Sequence, residues 1–131
     1  MGFFRFRSIK MAESSKMPSL ISLCFEARTR AHILHLQTKS FAVHKALNEY
    51  YDGILSIADS LAEAHQGREG IISTYPKFSL DASDPAKLVE QVRSWVDKNR
   101  KACSPYSELQ NIIDELQDLN NTTLYKLKNL F

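Results

Sequence analysis

Residues 40–66, SFAVHKALNEYYDGILSIADSLAEAHQ, carry one unbroken helical pattern, and the organisation of the rest of the chain follows from it. Ser40 stands where an N-cap is needed, and Phe41, Leu47, Tyr51, Ile54, Ala58 and Leu61 follow as an apolar stripe that stops at Gly67. Such a helix is about 39 Å long at ~1.5 Å per residue. Beside the stripe runs a line of side chains able to bind metal: His44, Asp52, Asp59 and Glu63. Asp59 and Glu63 lie one turn apart on one face, with Asp52 between them in angle and His44 nearby. This line is either a solvated face or a site.

The segments on either side read as helices too. Upstream, Leu20, Leu23, Cys24, Ala27, Ala31 and Leu34 mark a helix α1 over 19–39, which bears His32 and His35 on a shared face. Only one to three residues separate it from α2 over 40–66, so the two must run antiparallel. Downstream, GREGIISTYPKFSLDAS holds two glycines and a proline without sustained period and reads as a long loop. Asp84 and Pro85 open α3 over 84–103, whose face is Leu88, Val89, Val92, Trp95 and Val96. Ser104 and Pro105 open α4 over 104–130, with Leu109, Ile112, Ile113, Leu116, Leu119, Thr123, Leu127 and Leu130 on one side. Extended, the long loop reaches roughly 56 Å, more than the length of α2. Short, long and short connections therefore predict an all-α, ferritin-like four-helix bundle: two antiparallel hairpins joined by a long α2–α3 crossover.

Composition sets outer bounds. A chain of 131 residues with 44% apolar and 24% charged residues is expected to form one domain with a sizeable core. Its net charge of +2 is too small to argue for nucleic acid by itself. No apolar run approaches the ~18 residues of a membrane span. MGFFRFRSIK is interrupted by Arg5 and Arg7 and lacks the apolar centre of a signal peptide. The expectation is a soluble, cytoplasmic protein with no membrane partner. Cys24 and Cys103 lack metal spacing and fall in apolar-periodic stretches, which predicts reduced core thiols. Residues 1–17 read as a flexible basic tail, with Met11 as a second candidate start. Its Arg5, Arg7, Lys10 and Lys16 form an arm able to contact DNA phosphates without sequence preference.

A di-iron site inside a single bundle needs Glu-x-x-His on two helices. No such motif occurs, and α3 and α4 contain no histidine. All four histidines lie between residues 32 and 65, near Asp52, Asp59 and Glu63, and imidazole with carboxylate suits first-row metals. Yet His44 and Asp59 are fifteen residues apart, roughly 22 Å along one helix axis, and cannot bind one ion within one subunit. If they serve one site, a second copy must bring its His44 to this copy's Asp59 and Glu63, and a two-fold dimer makes two such sites.

On these residues the run HLQTKSFAVHKALNEYYDGILSIADSLAE resembles the corresponding helices of the Dps family of mini-ferritins. His44, Asp59 and Glu63 match that family's second His, Asp and Glu at the expected spacing, and Tyr51-Asp52 stands where the family often has Tyr-Asp. The resemblance covers α1 and α2 well, and α3 and α4 only by pattern. His35 is followed by Leu36 rather than Trp, and its interval to His44 is about three residues short. His32 keeps the interval but lies a turn further back. The resemblance implies metal ligands His35, His44, Asp59 and Glu63, with His32 and Asp52 as weaker members. It also implies a ferroxidase that oxidises Fe2+ to Fe3+ and stores the mineral in a homo-oligomer, from dimer to dodecamer. The chain is shorter than usual for that family and closer to compact Dps-like proteins, including some encoded by bacterial viruses. A competing expectation is a non-catalytic Dps-like structural or DNA-associated protein. His65, next to Gly67, reads as a helix C-terminal histidine favoured by the dipole.

Overall fold

The computed structural model describes residues 15–131, and all regular structure in them is helical. The helices are α1 Met17–Gln37, α2 Phe41–Glu69, α3 Pro85–Cys103 and α4 Ser107–Asn129. Two of the expected caps are present: Ser40 Oγ accepts from the Val43 amide at 3.2 Å, and Asp84 Oδ2 accepts from the Lys87 amide at 3.0 Å. Pro85 follows Asp84 at the first helical position, where its missing N–H costs nothing.

Several boundaries differ from the expected ones, each for a physical reason. Residues 15–17, expected within a basic tail over 1–17, belong to the bundle; residues 1–14 lie outside the described residues. Ser15 Oγ donates to the Cys103 carbonyl at 2.8 Å, the Lys16 amide donates to the Ala102 carbonyl at 2.9 Å, and Met17 is fully buried. Lys16 Nζ donates to Asn99 Oδ1 at 2.8 Å, so this lysine is engaged within the fold. Helix α2 runs through Gly67 to Glu69 and stops at Gly70, whose φ of 92° only glycine adopts without strain. Helix α4 starts at Ser107: Pro105 sits in a tight linker in which Ser104 Oγ accepts from the Tyr106 amide at 3.2 Å.

The order of the helices in space follows from the contacts that link their ends. α1 packs on α2 and α3, and α4 packs on the same two. The start of α1 meets the end of α3 through Lys16 and Ala102, so these two are antiparallel. Arg68 near the end of α2 pairs with Glu108 at the start of α4, and Glu49 near the start of α2 pairs with Lys126 near the end of α4. Every neighbouring pair is therefore antiparallel, and residues 70–84 carry the chain from one end of the bundle to the other. The crossover is packed down where Phe78 meets Trp95 edge to face at 5.7 Å and where Leu80 and Ala82 are buried.

One continuous apolar core joins all four helices. The stripe expected on α2 is buried from Leu47 to Leu61, but Phe41 is 75% exposed, as is about half of Leu130 on the expected face of α4. Both stand at the open ends of their helices, beyond the reach of a covering neighbour. Cys24 and Cys103 are free, buried thiols; burial pushes Cys24 up to about 12 and Cys103 up to about 11. Among the described residues, no helix is long and apolar enough to cross a membrane.

Candidate functional site

The three-residue link between α1 and α2 brings His35 and His44 face to face. Their rings stack with centroids 3.6 Å apart and planes 18° from parallel. Each ring also grips the other's backbone: His35 Nδ1 donates to the His44 carbonyl at 2.6 Å, and His44 Nδ1 donates to the His35 carbonyl at 2.8 Å. A carbonyl can only accept, so both Nδ1 atoms carry protons, and the nitrogen left to act as a ligand on each ring is Nε2. Ligating histidines are commonly oriented in this way, with the second nitrogen committed to a carbonyl. The stacking works against joint ligation, however. Lone pairs lie in the ring planes, and two near-parallel planes direct them along separate lines rather than to a shared point.

Around this clasp the seam between α1 and α2 is lined with rings. His32 stacks on Tyr51 at 4.2 Å and meets His35 edge to face at 5.7 Å, while Tyr51 meets His35 at 5.3 Å. The Arg28 guanidinium lies 5.9 Å from the Tyr51 ring centroid. Tyr51 Oη donates to Asn48 Oδ1 at 2.7 Å, and Asn48 Nδ2 donates to Asp52 Oδ2 at 3.1 Å. So Asp52 is tied into the seam through an amide.

Asp59 and Glu63 lie further along α2, both exposed, and neither joins an ion pair among the described residues. The expected ligands thus fall into two groups on one chain: His32, His35 and His44 near the α1–α2 corner, and Asp59 with Glu63 toward the opposite end. No group of three or more His, Cys, Asp or Glu side chains among the described residues is placed to hold a metal ion. Within one chain the residues do not fit an ion.

His65 departs from its expected role. It lies a full turn before the end of α2, is 9% exposed, and burial lowers its pKa below 6.5 against a smaller opposing effect of Glu69. A dipole effect alone would act in the other direction. Sequence reading also missed Arg28 as a member of the seam. Its only local signal was its position one turn before His32.

Comparisons with known proteins add kinship. The match to a family of unknown function, DUF5856, spans residues 35–127, from the first residue of the histidine clasp to the last turns of α4. The uncharacterized 14.6 kDa protein in the mobD-ri intergenic region of Enterobacteria phage T4 is 24% identical over 115 residues, covering 86% of this chain and 88% of the phage protein. No solved structure matches. With most of the chain inside the family match, the protein belongs to the family of unknown function DUF5856.

Proposed function

We propose that the protein is a Dps-like, ferritin-like bundle that self-associates and binds, oxidises and sequesters Fe(II) at a site shared between two copies. The observation that carries this reading is the division of the ligand set along the outer line of α2. His44 stands at one end, and Asp59 and Glu63 stand fifteen residues away, exposed and without ionic partners among the described residues. An antiparallel copy brings each end to the complementary end of its neighbour, twice per dimer. The single long crossover supports the ferritin-like assignment, since simple up-and-down bundles do without one. Iron is the substrate here. The carboxylates of one copy gather and neutralise the cation, and an imidazole Nε2 from the other completes its binding. Each Fe(II) gives one electron to dioxygen or peroxide, and Fe(III) is retained.

The test is aerobic addition of Fe(II) to the purified chain, following Fe(III) formation. Rapid oxidation is expected, with loss of at least ~90% of the excess rate in His44→Ala and in Glu63→Ala, on the scale of removing a metal ligand or its support. A wild-type rate equal to the buffer control would sink the proposal. A native mass equal to that of the 15.0 kDa chain, with and without iron, would remove the shared site.

A second reading, a non-catalytic structural or DNA-associated Dps-like protein, is favoured by the stacked clasp of His35 on His44. That clasp holds the α1–α2 corner closed without any metal. It predicts no iron oxidation, together with loss of thermal stability in His35→Ala.

A further inference from the structure

We propose that a cleft at one end of the bundle binds a small, uncharged aromatic molecule whose hydroxyl group is held by His65. None of the residues lining the cleft belongs to the iron reading, so the two stand apart. At this end α1 and α4 begin, α2 and α3 finish, and the crossover leaves α2 at Gly70. The Ile72 amide donates to Gln66 Oε1 at 3.0 Å, which pins the first residues of the crossover beside the helix they have left. Those residues and the helix ends bound a cleft of about 890 Å³. Sites for small organic molecules occupy roughly 300–1,000 Å³.

His65 is the side chain that points to a ligand. It lines the cleft and is 9% exposed, yet neither ring nitrogen makes a hydrogen bond among the described residues. Neither is sealed off in the way that Arg28 Nε and Arg30 Nε are, so the ring is open to whatever fills the cleft. Buried polar groups without partners are costly, and a guest that supplies one gains by it. A neutral imidazole presents one donor and one acceptor, and a hydroxyl can answer either. The rest of the lining fits the body of such a guest. Pro18, Ile72, Pro76, Pro105 and the Tyr106 ring offer apolar surface suited to a flat ring. The charges at the cleft, Glu69 and Lys101, are one of each sign, both exposed and in no ion pair among the described residues. They leave no net charge to draw an ion, which favours an uncharged molecule.

The test uses the full chain and three probes of similar size: phenol, toluene and benzoate. Carbon–proton NMR follows the His65 ring, identified by its loss in His65→Phe, and the Ile72 methyl groups, identified by Ile72→Val. Phenol should move both saturably, with a dissociation constant on the order of 1 mM, while His32 near the opposite end of α1 stays still. Toluene and benzoate should each bind roughly tenfold more weakly, the first for want of a hydrogen bond and the second because its charge must be desolvated. In His65→Phe, with helicity verified by circular dichroism, the Ile72 methyl groups should report equal affinity for phenol and toluene. His65 and Ile72 signals that phenol leaves unmoved at about 20 mM overturn the proposal. So does toluene or benzoate binding as tightly as phenol, or a preference for phenol that survives in His65→Phe. The three probes on the parent chain decide the matter even where that variant does not fold.

Discussion

At the scale of single residues, His65 shows how burial changes the meaning of a side chain. Its position near a helix end implies a cation welcomed by the C-terminal dipole, whereas its enclosure favours the neutral ring. The two accounts predict opposite pH dependence. With the folded pKa lowered, the unfolded chain binds more protons over the interval between the two values. Stability is therefore complete above the unfolded value of about 6.5 and falls as pH drops through the folded value. Melting temperatures between about pH 7 and about pH 5 should fall more steeply for the parent than for His65→Gln. A parent that gains stability in acid relative to His65→Gln would show that the dipole governs this histidine, and equal slopes would show that neither effect does.

At the scale of an element, α2 is defined by its two ends, and its two C-terminal glycines have opposite roles. Gly67 lies within the helix, and a Cβ added there would meet nothing within 4 Å. Gly67→Ala should stabilise the protein by about 0.5–1 kcal/mol, since alanine loses less backbone freedom on folding. Gly70 ends the helix at a φ of 92°, so Gly70→Ala should destabilise by about 1 kcal/mol despite equally open space. Urea midpoints moving in opposite directions at unchanged m-values would support this assignment. Midpoints moving together would contradict it.

At the scale of the whole molecule, a chain of polar groups ties three helices, running from buried Tyr50 and Asn120 out to the exposed Asp97. Tyr50 Oη on α2 donates to Asn120 Oδ1 on α4 at 2.7 Å, Asn120 Nδ2 donates to Gln117 Oε1 at 2.8 Å, and Gln117 Nε2 donates to Asp97 Oδ1 on α3 at 2.8 Å. Tyr50 and Asn120 are fully buried, and burial pushes the Tyr50 hydroxyl well above 10, so it remains a donor. The surface ion pairs Arg68–Glu108, Lys126–Glu49 and Lys128–Glu90 are largely exposed and are worth at most about 1 kcal/mol each. Asn120→Ala leaves the Tyr50 hydroxyl and Gln117 Oε1 unpartnered and should cost about 2–4 kcal/mol, read from chemical denaturation. A loss no greater than that of Lys126→Ala would mean that water replaces the network.

Much of this architecture is present in local chemistry. Apolar spacing names the faces of all four helices, Ser40 and Asp84 mark two helix starts, and the three-residue α1–α2 link forces an antiparallel hairpin. The distance between His44 and Asp59 was likewise legible as a count of residues, so the division of the candidate ligands followed from helix geometry alone. Other features depend on groups far apart in the chain. Ser15 joins the bundle because the Cys103 carbonyl, 88 residues away, accepts its hydroxyl. His65 has its pKa lowered by a burial that its place near the helix end does not announce. The clasp of His35 on His44, Arg28 over Tyr51 and Asn120 beneath Tyr50 exist only where helices have packed. Periodicity records which side chains share a face, whereas the fate of a polar side chain depends on the partner that packing sets opposite it.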